Sequence, residues 1–280
     1  MRVTIAQVEV SPDHAANRVV VGQAVTEAER VRADLLVLPE YASGYDPRGV
    51  GIAHAEPLSG PFVTLLRERT ARSSLTVVAG TVLPAEADVD DEAGVREPGS
   101  PARASNAVVV VRGGEVVGVY RKVHLYDAFG QRESDRLAGG DPAAPPLVVQ
   151  VGDLRVGVMT CYDLRFPESA RRLVDAGAQV LVVPAAWASG PQKVEHWRIL
   201  AQARAIENTC AVVAVGQTGQ GVSGHSMLVA PDGLVSIELG DDRAFRSADI
   251  DVDGILAERA RNPSLENRRY GVVPLAHGES

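Results

Sequence analysis

The sequence predicts a layered α/β protein, an α/β/β/α sandwich in which two β-sheets pack together between outer helices. Short apolar, β-branched runs recur along the whole chain, and longer segments with helical spacing fall between some of them. Runs such as LLVLP and VLVVP are apolar at nearly every position, as expected of strands covered on both faces. So many strands with so few helices cannot all be covered in one flat sheet, which makes two stacked sheets the economical arrangement.

The elements follow in order. The opening RVTIAQVEV reads as a first strand, and helical spacing from Ala16 to Arg32 leads to the strand LLVLPE. A second helix is expected from Pro61 to Ser73, where Ser59, Gly60 and Pro61 form its start signal. LTVVAGTV, NAVVVV and EVVGVYRK are strands, the last two joined by the turn pair Gly113 and Gly114. The segment Pro84 to Ala104, rich in Pro, Gly, Asp and Glu, is expected to be a surface loop. LVVQV and LRVGVMTC form a hairpin through Gly152 and Asp153, and a helix from Pro167 to Ala176 stops at Gly177. AQVLVVPA, a helix from Lys193 to Asn208, and the strands CAVVAVGQ, SMLVAP and LVSIEL complete the series, with Asp232 and Gly233 turning between the last two. A single domain over residues 1–280 is expected, without short-period repeats.

Composition narrows the function classes. The 28 basic and 36 acidic residues give a net charge of -8, and no run gathers like charges, so nucleic acid is not an expected partner. No apolar stretch approaches the ~18 to 20 residues of a membrane-spanning helix. Gln7 and Glu9 interrupt the apolar opening, which therefore lacks the apolar core of a secretory signal, and a cytoplasmic location without membrane partners is expected. Two cysteines in a chain of this size do not make a disulfide framework, so at least one thiol is expected to be free.

Three reactive side chains close apolar runs: Glu40 ends LLVLPE, Lys122 ends EVVGVYRK and Cys161 ends LRVGVMTC. In α/β sheets the carboxyl ends of strands are where catalytic groups collect, because the strand is rigid and the loop after it is free to vary. Cys210, inside CAVVAVG, reads by contrast as a small buried hydrophobe. Cys161 lies at a strand-to-helix junction, where the first free amides of a helix would help stabilise a thiolate. A thiol attacking an acyl carbon needs a base and a donor for the developing oxyanion, roles that Glu40 and Lys122 can fill. His124 and His196 are alternative bases. Paired cysteines and HExxH spacing are absent, so no metal is expected. The glycines of GQTGQGVSG lack the strand, GxGxxG and helix context of a phosphate cradle; they are expected to turn between strands, and no cofactor is expected.

The segments LPEYASGY, YRKVHLYD and GVMTCYDLRFPE resemble the three signature blocks of the carbon-nitrogen hydrolase (nitrilase) superfamily. The resemblance extends from RVTIAQVEV through FGQRES, AQVLVVPAAW, EHWRILAQARAIEN and GHSMLVAPDG to NPSLENRRY, nearly the whole chain. It implies the particular fold, a four-layer αββα sandwich of two mixed β-sheets, a small-molecule amide as substrate, pairing of protomers into a homodimer or higher oligomer, Glu40 as base, Lys122 as oxyanion partner, Cys161 as nucleophile and Glu133 as a second carboxylate that positions the amide. Tyr162 and Asp163 follow the nucleophile where true nitrilases commonly have Trp and Glu, so the likeness favours amidases, in particular the branch of omega-amidases and deaminated-glutathione amidases. That branch implies a carboxylate-bearing substrate. Arg165 and Arg132 are the nearby cations for the carboxylate, and Tyr162 and Trp187 are further candidate substrate contacts. Alternatives in the same superfamily are hydrolysis of a nitrile or of an N-carbamoyl amino acid; a non-enzymatic scaffold is the alternative outside it.

Overall fold

The computed structural model describes residues 1–85 and 102–275. The first sheet runs in the order β13 (Ala244–Asp249), β1 (Arg2–Gln7), β2 (Leu35–Val37), β3 (Thr76–Pro84), β4 (Ala104–Arg112), β5 (Glu115–Arg121), with the two-residue β6 (Leu137–Ala138) beside β4. The second runs β12 (Val235–Glu238), β11 (Met227–Val229), β10 (Ala211–Gly216), β9 (Val180–Ala185), β8 (Leu154–Val158), β7 (Val148–Val151). Both sheets are mixed. β1, β2 and β3 are parallel and flanked by antiparallel strands, as are β8, β9 and β10.

The layers follow from which side chains the strands bury. Val3, Ile5, Leu35, Val37, Val78 and Val108 of the first sheet pack against Val156, Val158, Val180, Val182 and Val213 of the second. Each such fully buried aliphatic side chain contributes about 1.5–3 kcal/mol. On the outer face of the first sheet, Leu36, Val77, Ala79 and Val109 meet α1 (His14–Arg30) and α2 (Pro61–Thr70) through Val21, Val25, Phe62 and Leu66. On the outer face of the second, Leu181, Val183 and Val212 meet α3 (Pro167–Asp175) and α4 (Lys193–Asn208) through Leu173, Trp197 and Ala201. This alternation along each strand produces the αββα sandwich expected from the sequence.

Local signals behave as their chemistry requires. Asp13 caps α1 by accepting from the amides of Ala15 and Ala16. Gly113, Gly152 and Gly233 have positive φ in the three anticipated hairpins. The loop is expected to run from Pro84 to Ala104, but these two residues are paired strand residues; residues 86–101 lie outside the described residues. Among the described strands and α-helices, three escaped the sequence reading: β6, β13 and α5 (Val252–Arg261). Among the described residues no helix is long and apolar enough to cross a membrane.

Candidate active site

The site lies where the carboxyl ends of β2, β5, β8 and β9 converge. Glu40 follows β2 by a short extended segment, Lys122 directly follows β5, Cys161 follows β8 and Ala186 follows β9. Glu40 is held there by a close approach of backbones: a Cβ on Gly80 of β3 would sit 2.4 Å from the Cα of Glu40. Only glycine leaves room for that crossing. The Gln217 side-chain amide also donates to the Glu40 carbonyl at 2.9 Å, tying the segment to the second sheet.

Glu40, Lys122 and Glu133 form one buried polar cluster. Lys122 Nζ donates to Glu40 Oε1 at 3.1 Å and to Glu133 Oε2 at 2.9 Å, with Lys122 and Glu40 each only 1 % exposed. Asn106 Nδ2 lies 2.7 Å from Glu40 Oε1, 2.8 Å from Tyr41 Oη and 3.1 Å from Glu133 Oε1. The Ala186 amide donates to Glu40 Oε2 at 2.6 Å, the Tyr126 amide to Glu133 Oε2 at 2.6 Å, and Tyr41 Oη to Glu133 Oε1. Such saturation is what keeps buried charges tolerable. Although burial opposes it, the Glu133 and Glu40 charges hold the Lys122 ammonium well above the usual lysine range. Glu133 is likewise pulled below the usual carboxylate range, because the Lys122 charge and the Tyr41 hydrogen bond outweigh its desolvation.

Cys161 opens a 3-10 turn, Cys161–Arg165, and has φ of 46°. A non-glycine residue in the left-handed region is backbone strain of the kind that collects at functional sites. The strain is held by Asp163, which is fully buried. Its carboxylate accepts from the Thr160 amide at 3.0 Å, Tyr120 Oη at 2.7 Å and the His124 amide at 3.3 Å, and lies 2.8 Å from His124 Nδ1. The nucleophile turn is thereby pinned to the segment that carries Lys122. Burial first, and the facing Glu40 carboxylate second, push the Cys161 thiol well above the usual cysteine range, against the opposing pull of Lys122. This corrects the expectation of a thiolate stabilised by a helix start. The turn is a short 3-10 segment, and burial together with the Glu40 carboxylate raises the thiol rather than lowering it.

Neither histidine takes the place of Glu40. His124 is engaged with Asp163 and stacks on Phe166 at 3.8 Å, and His196 Nδ1 lies 3.5 Å from Arg165. A cleft of about 350 Å³ opens above Cys161, and Glu40, Lys122, Glu133, Tyr162, Arg165, Arg132 and Trp187 all border it. The eight residues singled out from the sequence therefore share one cavity, though unequally. Arg132 is at the rim, 71% exposed and 3.4 Å from Asp135. Arg165 packs over the rings of Trp187 and Phe129, 5.0 and 5.6 Å from their centroids, and has no carboxylate within ion-pair distance among the described residues. Tyr162 packs edge-on against Tyr126 and Phe166. Sequence reasoning missed Tyr41, Asn106, Tyr126 and Lys193. The one available signal was Asn106, a polar residue opening the apolar run NAVVVV.

A two-sheet sandwich with a buried cysteine, lysine and paired carboxylates at its strand ends defines a class of hydrolase, and the comparisons agree. The carbon-nitrogen hydrolase family model matches residues 2–259, and the chain belongs to that family. It is 35% identical to the deaminated glutathione amidase of Escherichia coli O157:H7, over 96% of this chain and 98% of that protein. It is 33% identical to the deaminated glutathione amidase of Synechocystis sp., over 87% and 89%. Among solved structures, a CN-hydrolase superfamily protein from Xanthomonas campestris with an arsenic adduct in its active site superposes with a TM-score of 0.82, at 25% identity over 98% and 99% of the two chains. A Glu-to-Gln mutant of the amidase from Nesterenkonia sp. AN1, showing Michael addition of acrylamide at the active-site cysteine, superposes with a TM-score of 0.74, at 27% identity over 93% and 97%.

Proposed function

We propose that this protein hydrolyses the C–N bond of a small, carboxylate-bearing linear amide through a thioester on Cys161. The observation that carries the reading is the buried Cys161 thiol beside a carboxylate, Glu40, that is itself fixed by Lys122, Asn106 and the Ala186 amide. Glu40 takes the thiol proton as sulfur attacks the carbonyl carbon, and Lys122 with a backbone amide near Tyr162 receives the oxyanion. Glu40 then passes the proton to the departing amine and activates the water that cleaves the thioester. Glu133, bound to Lys122 and Tyr41, positions the amide nitrogen. Arg165 is the nominee for the substrate carboxylate, with Trp187 and Tyr162 as walls and Arg132 at the mouth.

The similarity to deaminated glutathione amidases supports this branch of the chemistry. The same reading takes residues 1–280 as one catalytic domain that needs no cofactor, with neither nucleic acid nor membrane as partner, consistent with the net charge of -8. Two free thiols support a reducing compartment such as the cytoplasm. Exposed Ile199 and Ile206 on α4 support a homodimer or higher assembly through that layer.

The test is release of ammonia from carboxylate-bearing primary amides and from the matching nitriles, by the natural protein and by Cys161→Ala. Turnover of amides over nitriles, lost in Cys161→Ala, is expected. Undiminished turnover in that variant contradicts the mechanism, and preference for the nitrile contradicts the amidase assignment.

A further inference from the structure

Lys193 is the first residue of α4, 8% exposed, and it borders the same cleft as Cys161. Its Nζ donates to Tyr126 Oη at 2.9 Å and stands 3.4 Å from the centroid of the Phe129 ring, the ring that Arg165 also faces. Among the described residues no carboxylate lies within ion-pair distance of either cation. Aromatic faces hold both charges without neutralising them.

This placement is electrostatically costly in three ways. A buried ammonium loses hydration, it faces a second cation, and it sits at the positive end of a sixteen-residue helix whose dipole disfavours a cation there. Burial and the Arg165 charge accordingly pull Lys193 below the usual lysine range. A surface lysine at this position would escape all three costs by turning to solvent. Instead, the Trp187 indole donates to the Lys193 carbonyl at 2.8 Å, fixing the start of the helix against the cleft wall. Because Tyr126 Oη accepts from Lys193, its own proton is left for another acceptor. An anion entering the cleft would meet Arg165, Lys193 and the Tyr126 hydroxyl together.

We propose that Lys193 is a specificity-determining residue, which with Arg165 makes a two-cation pocket selecting amides whose acyl chain ends in a carboxylate over uncharged amides of the same size. This rests on the reading that Cys161 hydrolyses amides, and it adds the group that sets the choice of acyl chain. A hydrogen bond to a charged group of this kind corresponds to a roughly 10- to 100-fold difference in kcat/KM.

The experiment compares succinamate, which carries the carboxylate, with butyramide, which lacks it, in the natural protein, Lys193→Met and Lys193→Arg. The natural protein should favour succinamate. Lys193→Met should lose about 10- to 100-fold on succinamate, mainly through KM, and change less than about 2-fold on butyramide, whose turnover also reports that the variant is folded. Lys193→Arg should recover most of the loss. Equal loss on both substrates, or no loss on succinamate, overturns the role of Lys193 while leaving the amidase reading intact. Equal use of the two amides by the natural protein overturns the two-cation pocket, and failure to hydrolyse either overturns the underlying reading.

Discussion

The two cysteines make an instructive pair. Both are free and buried, and both thiols are pushed upward by burial, Cys210 to about 12 and Cys161 well above the usual cysteine range. Cys210 lies among Trp197, Ala205 and Val212 under α4, with a long contact of 3.7 Å to the Arg204 carbonyl. Cys161 faces Glu40, Lys122 and a cleft. A perturbed thiol is therefore no mark of a nucleophile. What separates them is a carboxylate placed to take the proton at the moment of attack, and a space for the acyl group.

That contrast can be broken most severely by removing the cation that holds the two carboxylates together. Lys122→Met leaves Glu40 and Glu133 buried without a counter-charge, a change expected to cost about 3–5 kcal/mol of stability and, through the lost oxyanion donor, about 10²–10³-fold in kcat. Thermal denaturation and steady-state kinetics check the two losses. Truncating a cation whose charge acts on the other sulfur, Arg259→Met, should leave turnover in place, and a comparable kinetic loss there would erase the distinction between the two sites.

A smaller effect sharpens the comparison through pH. The negative charge of Glu40 raises the Cys161 thiol, so neutralising it in Glu40→Gln should lower that pKa. The pH profile of iodoacetamide alkylation at Cys161 should then move down by about 1–3 pH units. Alkylation at Cys210 should be slow in both proteins at all pH values, since the core excludes the reagent. An upward shift would mean that Glu40 is not the group facing the sulfur.

Much of this was legible because strand ends announce themselves. Glu40, Lys122 and Cys161 each close an apolar run, and covered strands read as continuous β-branched stretches. Glu133 emerged only from family resemblance, since it lies on a 3-10 turn, Glu133–Asp135, with no periodic signal. Lys193 opens the helix expected from Lys193 to Asn208, but sequence does not tell which face of a helix start meets a cleft. β13, AFRSAD, is a half-exposed edge strand whose pairing with β1 is its only cover among the described strands, so no apolar pattern marks it. α5 is readable in principle: Asp251 accepts from the Asp253 and Gly254 amides as a cap, a start signal present in the letters.

The central claim is that sulfur of Cys161 carries the acyl group between amine release and water attack. Acid quenching during turnover of succinamate, followed by peptide mass spectrometry, measures it directly. The account predicts an acyl mass on the Cys161 peptide that appears with substrate and decays as substrate is exhausted, while the Cys210 peptide stays unmodified. Product formation with the acyl mass on Cys210 or on a residue other than Cys161 would contradict it.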